Sequence, residues 1–481
     1  LAGSGSVLNL LVRANHRSLK VLDPIPHSVA QSAGVLQAVV PRLKLGNTNT
    51  PQAEHAVTTK VPATVPRADS WLAVKILAHR SIRELRRAIG RAIRLLPGAW
   101  TILRLPNRRL RSLKTWIEDR RKELDWWDIP LGPYYEMLLP SKRVMRIRPH
   151  CITANEIHPL LNVELDRVHN EAYLARIPNA RILGQTGVVI TPDGRVVEES
   201  TWGEKWLKYD RALTAWRLPR CQPKSGAFYT ICSDSYTGYY HWLSEVLPRL
   251  IALDGLTIET KVIVQSNLSA WQTESLAMLG IESDQLLSLD REYLQLDILY
   301  FPSYVGEPGN PHARAIHWLR EKLLPEPRSR EKTRRLYITR RLAARRRVAN
   351  EAEIEPILRE YGFEVVEAEK LSFREQINLF SEAEAVVGLH GAGLTNTIFA
   401  DGGCKVLEIF DPNHVYVHYY ALADIMGHNY WYLLGEPSGH ARSSHNASGH
   451  QDVHVPVDDF AKSLSAMLGN DFAVLSGSAQ G

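Results

Sequence analysis

A chain of 481 residues is too long for one ordinary hydrophobic core and implies two domains with appendages. Its 44% hydrophobic and 23% charged residues exclude a disordered or fibrous protein, and no uncharged run reaches the ~18 apolar residues that span a bilayer. The 58 Lys and Arg outnumber the 52 Asp and Glu for a formal charge of +6, while four cysteines without a C-x-x-C spacing argue against a disulfide scaffold and for a reducing compartment.

Residues 1–70 read as a flexible or irregular segment, because 41–70 is rich in Pro, Thr and Ala and holds no sustained period. Residues 71–145 read as a basic amphipathic helical extension. Ile82, Leu85, Ile89, Ile93 and Leu96 recur at helical spacing, with Arg83, Arg86, Arg87, Arg91 and Arg94 on the other face. Between Arg80 and Lys122, fourteen Lys or Arg stand against Glu84, Glu118 and Asp119. Such a stripe either touches an anionic membrane surface, a peripheral contact through 80–122, or packs on its own protein with a solvated charged face. It lacks interleaved aromatics and a neighbouring recognition motif, so nucleic acid is not expected as a partner.

Residues 146–325 read as a first α/β domain. GVVITPDGRVVEESTW carries two β-rich runs about a Pro-Asp-Gly turn, a hairpin signature. Helical stretches then alternate with short apolar runs: KVIVQ, ILYFPSY, RLYITR, FEVVEA, AVVGLH, KVLEIF and YWYLLG. Strands alternating with helices imply parallel sheets covered on both faces. Within YYHWLSEVLPRL, His241 and Glu245 are four apart and share a helix face, so that the carboxylate can orient the imidazole as a general base. The alternative is a His and Glu satisfied within helix packing, and Pro248 kinks or starts a helix there.

The charged, Pro-bearing stretch 321–335 marks the boundary to a second α/β domain over 326–481, ending in a C-terminal helix. Asn350 with Glu353, and Ser372 with Glu375, have capping-box spacing, and Gly362 sits where a helix ends.

In AVVGLHGAGLTNTIF an apolar strand runs into His390. Gly391, Ala392, Gly393 and Leu394 then open the next helix, where glycines admit close approach and unsatisfied N–H groups suit a diphosphate. Thr395 and Asn396, one turn in, either bind phosphate or hold the loop. The competing interpretation is a tight turn whose histidine caps the sheet. HGAG is neither the dinucleotide fingerprint G-x-G-x-x-G nor a G-x-x-x-x-G-K-[ST] loop, so no redox cofactor or ATP hydrolysis is indicated. Arg340 and Arg341 end the strand YITRR, and 345–347 is a further basic run; guanidinium groups there offset the charge of a leaving diphosphate or are simply solvated. Glu408 in KVLEIF is placed to accept a ribose diol, or else to pair with one of these arginines.

Taken in order, HWLSEVLPRL (241–250), YITRR (337–341), RRVANEAEIEPIL (346–358), the run GFEVVEAEKLSFREQINLFSEAEAVVGLHGAGLTNTIF (362–399) and VLEIF (406–410) resemble glycosyltransferase family 61. The resemblance covers roughly 180–435 and is densest from 335 to 410. It implies an inverting enzyme of GT-B-like architecture, two Rossmann-like domains facing a cleft. The nucleotide sugar, a UDP-sugar, is then held by the C-terminal half, and a glycan or lipid-linked glycan acceptor by the N-terminal half. It also implies surface polysaccharide synthesis and, with the low cysteine content, a cytoplasmic location peripheral on the inner membrane. Residue by residue, His390 to Gly393 match the family's diphosphate loop, Arg340 its arginine after the first donor-domain strand, and His241 its acceptor-side histidine. Members often read His-Asp at that place, whereas Trp242 follows here and Glu245 is the nearest acid, which leaves the base open.

No Asp-x-Asp occurs, so a metal-bridged diphosphate has no obvious ligand pair and a metal-independent reaction is expected, with no cofactor beyond the donor. A hydrolase is opposed by the lack of a G-x-S-x-G elbow. A non-catalytic scaffold that binds glycan or nucleotide is the remaining alternative.

Overall fold

The chain divides into two units, Leu1–Asp69 and Ser70–Gly481. The computed structural model describes most of 84–324, 332–437 and 451–469, all in the second unit. The expected irregular segment 1–70, the start of the basic helix at Ile82 and Arg83, and residues 325–331 of the 321–335 boundary lie outside the described residues.

Among the described residues, two main sheets carry the fold. The first has ten strands and is mixed. Its centre is Tyr293–Pro302, paired in parallel with Cys221–Thr230 and antiparallel with Ala172–Pro178 and Arg181–Leu183. Beyond Cys221–Thr230 the parallel run continues through Thr260–Gln265 to Leu286–Leu289. The expected hairpin forms on the other side of the sheet, Val188–Ile190 against Arg195–Val197, with Gly194 turned to φ +86° and Arg108–Leu110 pairing outside it as the edge strand.

The second sheet is wholly parallel, in the order Phe363–Val366, Arg334–Ile338, Ala383–Leu389, Lys405–Phe410, Asn429–Leu434. In chain order that is 2-1-3-4-5, with its switch point between Arg334–Ile338 and Ala383–Leu389. The apolar runs are continuous because both faces are covered, and Val386, Val387, Val406 and Leu407 are fully buried. The capping box at Ser372 forms as expected: its Oγ accepts from Glu375 N, and Glu375 Oε2 accepts from Ser372 N. At Asn350 it does not, because the amide is committed to both backbone groups of Val455.

The basic extension is only partly helical, over 84–94 and Leu113–Lys122. Arg108–Leu110 and Tyr134–Leu139 are strands of the first sheet, where hydrogen-bonding edges outweigh helical spacing. The 84–94 helix docks through Gly90, where a Cβ would lie 1.9 Å from Thr214 O, and through buried Arg94. That guanidinium donates to Pro106 O, Gly90 O, Ala212 O and Ala215 O, gathering carbonyls at the end of the helix Arg211–Thr214. Burial pulls its pKa down to about 10. Leu85 and Leu96 of the expected apolar stripe stay exposed, as does Leu95.

One hydrophobic cluster joins the sheets. It runs from Tyr229, Trp242 and Leu247 of the first half through Ile316 and Leu319 to Phe373, Phe380, Ile398 and Tyr419 of the second.

Candidate functional site

Ala383–Leu389 delivers His390 to the carboxyl end of the second sheet, where its N–H still bonds Ile409 O at 2.8 Å. The chain then turns into a 3-10 helix, Ala392–Phe399. The first amides of such a helix lack intrahelical acceptors. Gly391 has φ −178°, an ordinary extended value, so its conformation alone does not demand glycine. Space does: a Cβ there would sit 2.0 Å from Arg340 Nη1, and one on Gly393 2.8 Å from Ile338 Cγ2. The two glycines let the loop lie against Arg340 and the neighbouring strand end. Leu394 and Asn396 face inward. Leu394 is core, and Asn396 bonds Gln376, Gly393 O and Tyr239, so both hold the loop; the Thr395 hydroxyl is buried as well.

Glu408 does not reach a ribose. It is fully buried, with Oε1 on His390 Nδ1 at 2.5 Å and Oε2 accepting from Tyr430 Oη at 2.5 Å. Nor does it pair with an arginine. Alternation along Lys405–Phe410 turns it into the sheet beneath the histidine. Burial pushes the Glu408 carboxyl well above its usual range; burial, then Arg346 and Arg340, pull the His390 imidazole down to about 3. Both shifts favour a pair with no net charge, in which a single proton lies between Glu408 and Nδ1. His390 then carries its own hydrogen on Nε2, the arrangement of a donor.

The arginines of 334–347 fall into two groups. Arg334 pairs with Glu364, Arg335 with Glu384, Arg341 with Glu351 and Glu355, and Arg347 with Asp452. Arg341, expected at the diphosphate, is therefore committed elsewhere, since consecutive residues leaving a strand point to opposite sides. Arg340 and Arg346 have no ion pair among the described residues. Arg340 donates to Arg346 O (2.8 Å) and Arg345 O, which curls the turn and holds Arg346 at φ +56°. Arg346 donates to His414 Nε2 at 2.9 Å. Burial and then the Arg346 charge lower the Arg340 pKa. Two cations held together beside free helix amides are relieved by an anion.

Arg340, Gly391, Ala392 and Gly393 line a cleft of about 320 Å³ with Tyr239 and Trp271 of the first half. His241 and Glu245 follow Tyr239 on the segment after Cys221–Thr230; neither lines that cleft, and Glu245 borders a separate cavity of about 190 Å³ with Thr201, Tyr304 and Gly306. That segment begins as a helical turn, Tyr239–His241, widens to a π-helix over Trp242–Val246 and tightens to a 3-10 helix at Leu247. His241 Nδ1 and Glu245 Oε2 are 2.8 Å apart, and Glu245 Oε1 accepts from Gly309 N at 3.3 Å. Burial raises the Glu245 pKa, and His241 opposes that shift. The His241 ring lies 6.1 Å from His418, which stacks 5.9 Å from His390. His418 thus neighbours both His241 and His390.

His414, Tyr416 and His418 were not singled out in the sequence, although they surround His390 at 5.5, 5.7 and 5.9 Å. The alternation His-x-Tyr-x-His after the strand end KVLEIF was the available signal. Arg346 was visible only as one member of a basic run.

Residues 239–407 match the family model described as Glycosyltransferase 61, a stretch that opens at Tyr239 and closes one residue before Glu408. No curated protein matches the chain.

Proposed function

Starting from a chain whose residues 239–407 are a glycosyltransferase family 61 domain, and which is therefore a sugar-transferring enzyme, we propose an inverting, metal-independent transfer from a nucleotide sugar, a UDP-sugar, to a glycan or lipid-linked glycan acceptor. The architecture is GT-B-like, with the donor on 326–481 and the acceptor on 146–325. The observation that carries this reading is Arg340 beside the Gly391–Gly393 amides, with Arg346 and Arg340 both near His390 and neither in an ion pair among the described residues.

An acceptor hydroxyl oxygen forms the new bond to the anomeric carbon as the bond to the diphosphate oxygen breaks. The hydroxyl proton passes to His241 Nε2, and Glu245 at Nδ1 stabilises the imidazolium that results. The electron pair leaves with the nucleoside diphosphate. Arg340, Arg346, the loop amides and His390 Nε2–H receive that charge, supplying the positive field a divalent ion would otherwise bring.

Synthesis of surface polysaccharide in the cytoplasm, at the inner membrane, fits the exposed basic helix. No described helix is long and apolar enough to cross a membrane. The test is transfer from UDP-sugars with EDTA present. His390→Ala is expected to weaken UDP binding at least tenfold, whereas His241→Ala lowers kcat by about 10²–10⁴ with UDP affinity retained. Unchanged UDP affinity in His390→Ala overturns the donor assignment.

A further inference from the structure

We propose that Tyr416 and His418 hold the sugar being transferred, Tyr416 as the platform for its C–H face and His418 as the group that reads its hydroxyls. This rests on the donor and base assignments above and names the residues that select which sugar is moved.

The reacting carbon must lie between an acceptor hydroxyl at His241 and a leaving oxygen at His390. His418 stands between those two, its ring 6.1 Å from His241 and 5.9 Å from His390. Tyr416 lies 5.7 Å from His390 and 5.4 Å from His418, with its plane tilted only 21° and 18° to theirs. Both side chains follow the strand Lys405–Phe410, and His418 opens the helix His418–Met426, so they occupy the carboxyl end of the parallel sheet where ligands bind.

Tyr416 is 45% exposed although its ring packs on both histidines. An aromatic ring fixed in orientation and still open to solvent suits the apolar C–H face of a sugar, whose hydroxyls then point past its rim. His418 is partly exposed and equally fixed. Tyr240 stacks on it at 4.4 Å, and Gly309, at φ +80°, packs along its Cδ2–Nε2 edge, where a Cβ would come within 2.6 Å of Cδ2. The same glycine donates to Glu245 Oε1, so one residue braces both His418 and the base pair.

Among the described residues no hydrogen bond engages the His418 ring nitrogens. Burial first, then His390, His241, His414 and Arg346, pull its pKa to about 3, so the ring stays neutral. A neutral imidazole offers one donor and one acceptor, which matches a hydroxyl and not a diphosphate. The donor is thereby divided by charge: diphosphate at Arg340, Arg346 and the loop amides, uncharged polyol at His418 and Tyr416.

The experiment measures Kd by calorimetry for UDP, UDP-glucose, UDP-galactose, UDP-xylose and UDP-N-acetylglucosamine on the full chain and on Tyr416→Ala, Tyr416→Phe and His418→Asn. Wild type is expected to bind the best of the sugar nucleotides about tenfold tighter than the weakest. Tyr416→Ala and His418→Asn are expected to lose that preference and keep wild-type affinity for UDP, which also reports that they fold, while Tyr416→Phe retains both. Binding of UDP without preference among the sugars in wild type overturns the proposal and leaves the donor reading intact, as does a preference that survives in either Tyr416→Ala or His418→Asn. A parallel loss of UDP affinity assigns the two residues to holding His390 instead and overturns it too. Failure of wild type to bind UDP at all removes the donor reading itself, and the proposal with it.

Discussion

At Gly391 a single hydrogen in place of a side chain admits Arg340 to the loop. Alanine there would keep the backbone, since φ −178° suits any residue, but its Cβ would fall 2.0 Å from Nη1 and drive the guanidinium away. Gly391→Ala is therefore expected to weaken UDP binding about tenfold, near 1.4 kcal/mol, with little change in melting temperature. Calorimetry beside a thermal melt separates the effects, and a lowered Tm with unchanged Kd would assign the glycine to packing alone. The sequence located this loop because strand, histidine and glycines are consecutive. It misjudged Glu408 and Arg341 because a letter at a strand end does not say which face it takes, and that depends on neighbours such as Tyr430 and Glu355, 22 and 14 residues away.

Between Tyr239 and Gly255 one element changes pitch twice, and the cause is local. Pro248 has no N–H for the carbonyl of Ser244, so the preceding turn loosens to a π-helix while His241 and Glu245 stay in contact. The spacing of that pair was readable from four letters; the pitch was not. The 84–94 helix shows the opposite case. Its apolar spacing was plain, yet Gly90 and Arg94 make the packed edge, because Arg94 finds a cluster of carbonyls that only the fold assembles. Leu85, Leu95 and Leu96 stay outside with exposed Arg86 and Arg91, the composition of a surface that meets anionic lipid. Leu95→Ser with Leu96→Ser is expected to cut co-sedimentation with phosphatidylglycerol-containing vesicles at least tenfold, since each leucine entering the interface contributes roughly 1.5–3 kcal/mol. Binding that is unaltered, or absent from wild type at low salt, would leave the helix a packing element only.

At the scale of the molecule, the shared apolar core from Trp242 to Tyr419 decides how the halves behave. A large hydrophobic interface opposes the free hinge that a polar one allows, so the radius of gyration in solution scattering is expected to stay unchanged when UDP binds. The alternating strands and helices predicted two sheets; the packing between them depends on long-range contacts that no local period records.

The same core places histidines where charging them is costly. His428 donates from Nε2 to Thr397 O and burial pulls its pKa to about 4; His418 is pulled to about 3 by burial first and then by His390, His241, His414 and Arg346. In the unfolded chain both titrate near 6.5. As pH falls below that value the unfolded state takes up protons that the folded state refuses, so stability declines toward pH 4, by up to about 1.4 kcal/mol per pH unit for each histidine. Glu408 has the opposite sign: its raised pKa keeps a proton in the folded state that the unfolded chain releases above about 4.5. It therefore favours folding as pH falls from neutrality and masks part of the histidine loss. Glu408→Gln can still accept from Tyr430 and donate to His390 Nδ1, yet it no longer titrates. Urea denaturation at pH 7.5, 6.5, 5.5 and 4.5 is expected to show a steeper acid decline in Glu408→Gln than in wild type. Parallel declines would mean that Glu408 is ionised in the folded protein and that His390 Nδ1 carries the proton alone.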